Sequence, residues 1–127
     1  MEFASIRIIT NDPAALAGFY QEITGITPKI YTEDFLEFPT AGAVLALASK
    51  RSMDMFGAGA AKPADNHTAI LEFKVDDVDK EYERIKQVVG KFELEPTTQP
   101  WGNRSMLFRD PDGNLINFFT PLNRKAG

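Results

Sequence analysis

Residues 12–25, DPAALAGFYQEITG, and residues 77–90, DVDKEYERIKQVVG, read as two versions of one helix. Each opens on an aspartate, whose carboxylate can accept from the free N–H groups of a helix start, and each closes on a glycine, a natural C-terminal stop. Pro13 suits the first helical position. Leu16, Phe19, Tyr20 and Ile23 fall on one face of the first helix, and Val78, Tyr82, Ile85 and Val89 on one face of the second. A shift of 65 residues lays Asp12 on Asp77, Tyr20 on Ile85, Ile23 on Val88 and Gly25 on Gly90.

Outward from these helices the same order repeats. Residues 3–10, FASIRIIT, and 69–75, AILEFKV, are β-branched and precede the helices as strands. Three short strands follow each helix, at 28–32, 34–39 and 43–49, and at about 92–98, 104–109 and 114–120. The last two strands of each set are joined by a bend, 39–42 (PTAG) and 110–113 (DPDG), and in the second Pro sets φ and Gly takes the left-handed position. At this hairpin the shift becomes 71, so that Gly42 meets Gly113, Leu45 meets Ile116 and Ala46 meets Asn117. The six additional residues are expected before the last two strands, around 99–103 (QPWGN). Two units of one order imply a duplicated α+β fold of two βαβββ modules. The expected single domain has module one at about 1–49, a connecting loop at about 50–66 and module two at about 67–122. The connector, KRSMDMFGAGAAKPADN, reads as a loop with a short turn at 52–56. Its Met53, Met55 and Phe56 either tuck into a core or fold over a pocket.

The chain has 127 residues, 43% hydrophobic and 25% charged, an ordinary globular composition. No apolar run approaches the roughly 18 residues of a membrane span, and the start, with Glu2 and Arg7, does not resemble a signal peptide. A cytoplasmic protein with no membrane partner is expected. The net charge is −4 and the basic residues are scattered, which argues against a nucleic-acid partner. The absence of cysteine removes disulfides, thiolate metal sites and a cysteine nucleophile. The sequence shows no P-loop, dinucleotide glycine pattern or hydrolase elbow, and Ser5 lacks a histidine at a plausible distance.

IRIITNDPAALAGFYQEITG (6–25), LEFKVDDVDKEYERI (71–85) and WGNRSMLFRDPDGNLINFF (101–119) resemble the vicinal-oxygen-chelate superfamily, which includes glyoxalase I, fosfomycin and bleomycin resistance proteins and extradiol dioxygenases. The resemblance implies a curled eight-stranded mixed sheet in which each module forms half a cup. It also implies metal ligands on the first and last strands of the modules. The corresponding positions here hold Ser5, Ala46, Ile70 and Asn117, none a strong anionic or imidazole ligand. His67 stands three residues before Ile70, a spacing that turns it to the opposite face of a regular strand; only a bulge would bring it back. No metal and no other cofactor is expected.

Alternation places Phe3, Ser5, Arg7 and Ile9 on the inward face of the first strand, and Ile70, Glu72 and Lys74 on that of the fifth. The last strands add Val44, Ala46 and Ala48, then Leu115, Asn117 and Phe119. The candidate ligand-binding residues are therefore Arg7, Phe56, Glu72, Trp101, Arg104, Asn117 and Phe119, with no catalytic residue assigned. Arg7 and Glu72, mates under the 65-residue shift, form either an ion pair at the seam between modules or part of the recognition surface. Trp101 is either core or a border of the ligand opening, and Arg104 is either solvated or a ligand contact. General acid–base chemistry through Glu72 depends on its burial. The resemblance then implies a metal-independent small-molecule binder that sequesters an antibiotic or metabolite, usually as a homodimer. The alternative is a lyase, isomerase or dioxygenase of the same superfamily.

Overall fold

The computed structural model describes residues 1–122. The chain divides into two compact units, the first ending at Asn66 and the second beginning at His67. The first contains β1 (Ser5–Thr10), α1 (Pro13–Thr24), β2 (Lys29–Thr32), β3 (Phe35–Phe38), β4 (Val44–Ser49) and α2 (Lys50–Gly57). The second contains β5 (Ile70–Lys74), α3 (Val78–Val89), β6 (Phe92–Thr98), β7 (Asn103–Arg109) and β8 (Leu115–Pro121). The eight strands pair as two four-stranded mixed sheets, β1-β4-β3-β2 and β5-β8-β7-β6. In each, the first strand runs parallel to the last and the other neighbours are antiparallel. The architecture is α+β.

Strand register locates the six additional residues. Ser5 pairs with Val44, 39 residues on, and its counterpart Ile70 pairs with Leu115, 45 residues on. Lys29 pairs with Glu37, eight residues on, whereas Leu94 pairs with Leu107, 13 on. Five of the six therefore lie within the β6–β7 hairpin, in its strands as well as its turn. The sixth lies in the last hairpin, because Phe38 pairs with Leu45, seven on, and Phe108 with Ile116, eight on. This corrects the expectation that all six precede the last two strands. Asp110 makes room for the extra residue: its Oδ1 accepts from the N–H groups of Asp112 and Asn114, both at 2.9 Å, and its Oδ2 accepts from the Asn114 amide at 2.8 Å. These bonds satisfy the backbone of a longer turn internally.

The two helices start and stop as their caps require. Asp12 accepts from the N–H of Ala15, and Asp77 from those of Asp79 and Lys80. Gly25 and Gly90 have φ of 72° and 78°, a region that an L side chain enters at a cost. Leu16, Ala17, Tyr20 and Ile23 of α1 are buried, while Phe19 is half-buried and meets Tyr20 edge-on. Tyr20 touches Phe38, which places α1 on the face carrying Phe38, Leu36, Leu45 and Leu47. In the second unit a file of rings runs from Tyr82 of α3 through Phe92, Phe108 and Phe118 to Phe73, with centroids 4.9–5.6 Å apart. The α3 face of that sheet is therefore the face of Phe108, Ile116 and Leu71.

The connector departs from its expected form. Lys50–Gly57 is a helix rather than a loop with one turn. Eight residues are too few to display a helical period, so pattern alone could not reveal it. Its start is fixed by contacts distant in sequence. Ser49 accepts from the Ser52 N–H and donates to Asp34, in the turn between β2 and β3, while Arg51 donates to Glu33 and Asp34. Met53 then packs on Ile9, Ala48 and Phe35. These lie on the face opposite α1, so α2 covers one end of it.

Two outcomes follow from this packing. Phe108 is fully buried between Phe92 and Phe118, and Phe108→Ala is expected to cost about 3–5 kcal/mol in chemical denaturation. Arg51, then Ser49, hold the Asp34 carboxyl below its ordinary value of 3.8. A lowered carboxyl stabilises the fold above its unfolded-state value, and the contribution is lost as pH falls through the folded-state value. Amide protection factors across residues 53–57 should therefore fall selectively on acidification below about pH 4, and Asp34→Asn should produce the same loss of protection at neutral pH.

Candidate functional site

Each sheet has one face under its twelve-residue helix and one face away from it. Directly paired residues share a face, so register assigns every candidate. In the first unit Arg7, Ala46 and Glu37 form one row on the face away from α1, followed by Ile9, Ala48 and Phe35. In the second unit Glu72, Asn117 and Leu107 form the corresponding row on the face away from α3, followed by Lys74, Phe119 and Ser105.

Asn117 stands on β8, an inner strand, and is 8% exposed. Its Nδ2 donates to Glu72 at 2.9 Å. The opposite amide assignment would set two oxygens against each other, so Glu72 fixes the orientation. The consequence is that Asn117 Oδ1 is buried with no hydrogen-bond partner. An orphaned buried acceptor costs roughly 1–3 kcal/mol. Among the described residues the other two such atoms, Asn103 Oδ1 and Asp112 Oδ2, lie where strands begin or turn. Phe119, two residues on from Asn117, is half-buried on the same face, while Glu72 is exposed.

Arg7 is exposed at the surface, with its guanidinium carbon 5.4 Å from the Phe35 ring centre and 5.2 Å from that of Phe56. Phe56 is carried there by α2 and is itself 75% exposed. Within their own units Arg7 and Glu72 thus have different partners, two rings and one amide. Sequence reasoning missed Phe35 and Glu37. The bend at 39–42 would have set their register against β4 had the hairpin been counted back, since Glu37 faces Ala46.

Trp101 is 66% exposed and so is not a core residue. It occupies the turn between β6 and β7, closed by Gly102 N–H to Gln99 O and by Gln99 N–H to Asn103 O, with Gly102 at φ 97°. Arg104, a candidate ligand contact in the sequence, is engaged within its own unit. It shares the α3 face with Met106 and Phe108, and its fork donates to both oxygens of Asp79, at 2.7 and 3.0 Å, and to Thr98 at 3.1 Å. That pair ties β7 to the first turn of α3, and the guanidinium holds the Asp79 carboxyl below the usual range. Alternation alone would have placed Arg104 opposite Ser105, but nothing in the sequence marked Asp79 as its partner.

A resident metal does not fit these residues. Ser5, Ala46 and Ile70 bring no strong ligand, and Asn117 offers only a single neutral oxygen. Among the described residues no three His, Cys, Asp or Glu side chains gather in a form that could hold an ion. His67 is exposed and lies in the coil before β5. No described helix is long and apolar enough to cross a membrane.

Known proteins share this arrangement. The chain is 30% identical to the uncharacterized protein YraH of Bacillus subtilis (strain 168), over 96% of this chain and 100% of that protein. A glyoxalase/bleomycin resistance protein/dioxygenase from Nocardioides has the same fold, with a TM-score of 0.80 and 23% identity over 100% of this chain and 88% of the other. A family enzyme of the same description from Burkholderia phytofirmans PsJN gives a TM-score of 0.83 at 18% identity, over 96% of this chain and 100% of the other. The family model for this group matches residues 2–118. With a duplicated βαβββ order, paired helix caps and nearly full-length matches, the chain belongs to the glyoxalase/bleomycin resistance protein/dioxygenase superfamily.

Proposed function

We propose that the chain is a cytoplasmic, metal-independent binder of a small molecule, which it sequesters on sheet faces turned away from the long helices. The observation that carries this reading is Asn117 Oδ1, a buried acceptor on an inner strand, held in place by Glu72 and left without a donor. A side chain kept in that state costs stability, and a ligand N–H or O–H would return the lost bond. Phe119 beside it offers a ring face. The residues at the family's ligand positions support metal independence. Phe3, Ile30 and Ile70 are exposed; together with the open edges of β2 and β6 they support a homodimer as the working form.

Three measurements test this reading. Asn117→Leu keeps the branched shape and removes the orphaned acceptor. It should leave the unliganded protein within about 1 kcal/mol of the parent in stability while abolishing the thermal shift given by ligands found in a compound screen. A loss of stability with binding intact would make Asn117 structural. Elemental analysis of the purified protein should find no stoichiometric divalent metal, and one zinc, nickel, manganese or iron per chain would contradict the reading. Light scattering at micromolar concentration should give twice the chain mass; the chain mass itself would exclude the dimer.

A further inference from the structure

Five arginines lie among the described residues, and four of them engage a carboxylate. Arg51 pairs with Glu33 and Asp34, Arg84 with Glu81, Arg104 with Asp79 and Arg109 with Glu93. Arg7 is the exception. Among the described residues it has no hydrogen bond and no ion pair, and its contacts are the faces of Phe35 and Phe56. The chain carries 18 acidic residues against 14 lysines and arginines, so acidic partners are not scarce. One even stands in the same row. Arg7 and Glu37 both pair with Ala46, on either side of it and on the same face. Two strand spacings put their backbones about 9.5 Å apart, within the combined reach of the two side chains. Instead Glu37 accepts from the Tyr31 hydroxyl at 3.0 Å and Arg7 turns to the rings.

We infer that Arg7 is the anchor for a planar monocarboxylate. The inference rests on the proposed small-molecule reading and names the ligand class taken by the first unit. The two rings attract the guanidinium through their faces and leave its N–H edge, the part that forms a forked pair with a carboxylate, without an acceptor. Ala46, between Arg7 and Glu37, is the smallest side chain in the row and is itself buried. An aromatic or conjugated body attached to a carboxylate at Arg7 meets the ring of Phe56, which is three-quarters exposed. Glu37 at the far end selects the charge of the ligand. A second carboxylate would approach a like charge, whereas a neutral or amino-bearing end would not. The acidic chain thus holds a local site for an anion, set by one arginine that the rest of the fold does not use.

Isotope-labelled protein titrated with benzoate, benzamide and terephthalate, followed through backbone amide shifts, tests this. Benzoate should give saturable shifts in β1, β3, β4 and α2, and benzamide at the same concentrations should not. Arg7→Gln should weaken benzoate at least tenfold with the thermal midpoint unchanged, and Arg7→Lys should lose less. Terephthalate should bind several-fold more weakly than benzoate, and Glu37→Gln should close that gap. Equal responses to benzoate and benzamide, unchanged affinity in Arg7→Gln, or no saturable benzoate binding would each overturn the inference. Neutral compounds that bind through Asn117 in the same protein would leave the small-molecule reading standing while this one falls.

Discussion

One twelve-residue helix can cover only one face of a four-stranded sheet, and every other feature of these units answers to that limit. Covering requires an apolar face, and the α1 and α3 sides supply it: Leu36, Phe38, Leu45 and Leu47 in the first unit, and Leu71, Phe108, Ile116 and Phe118 in the second. The opposite faces are released from that requirement. They carry Arg7 and Glu37, Glu72 and Asn117, residues that a fully enclosed sheet would have to pair or exclude. The first unit partly closes its free face with α2, whose Met53 seals the end at Ile9 and Ala48 and whose Phe56 reaches toward Arg7. The second has no equivalent helix in the described residues.

Duplication gives the two free faces the same geometry and lets their chemistry diverge. The row Arg7, Ala46, Glu37 corresponds strand for strand to Glu72, Asn117, Leu107. At the first position the charge is reversed. At the second, a methyl group in one unit becomes an amide in the other, and that amide is the group left with a buried, unanswered oxygen. Neither row supplies the carboxylate and imidazole set that a divalent ion needs. The superfamily scaffold is therefore present while its metal positions hold hydroxyl, methyl, aliphatic and amide groups. Fold and chemistry are separable properties here, and function has to be argued from the rows themselves.

Much of the fold was legible in residue order. Aspartate caps, glycine stops and a period near four specify both long helices locally, because the groups that satisfy a helix end lie within a few residues of it. Alternation and the two bends did the same for the strands, and also for the faces of Arg7, Glu72, Asn117 and Phe119. The connector was not legible: α2 is held by Asp34, which is 17 residues before Arg51, and by burial of Met53 on three separate strands. The division of the six extra residues was also hidden, since it depends on which residues pair across β6–β7 and β7–β8.

Residue order alone specifies the two-module arrangement, the helix boundaries, the residue types at four strand positions and the side of the sheet that each alternating residue takes. All of these follow from short-range backbone geometry. Tertiary structure decided which polar groups are already engaged. Arg104 and Arg7 look alike in sequence, each a single arginine in an alternating strand, yet Arg104 meets the first turn of α3 and is bound to Asp79, while Arg7 meets only aromatic rings. The partners of these two arginines are set by strands and helices brought together from 25 or more residues away, and no local pattern carries that information.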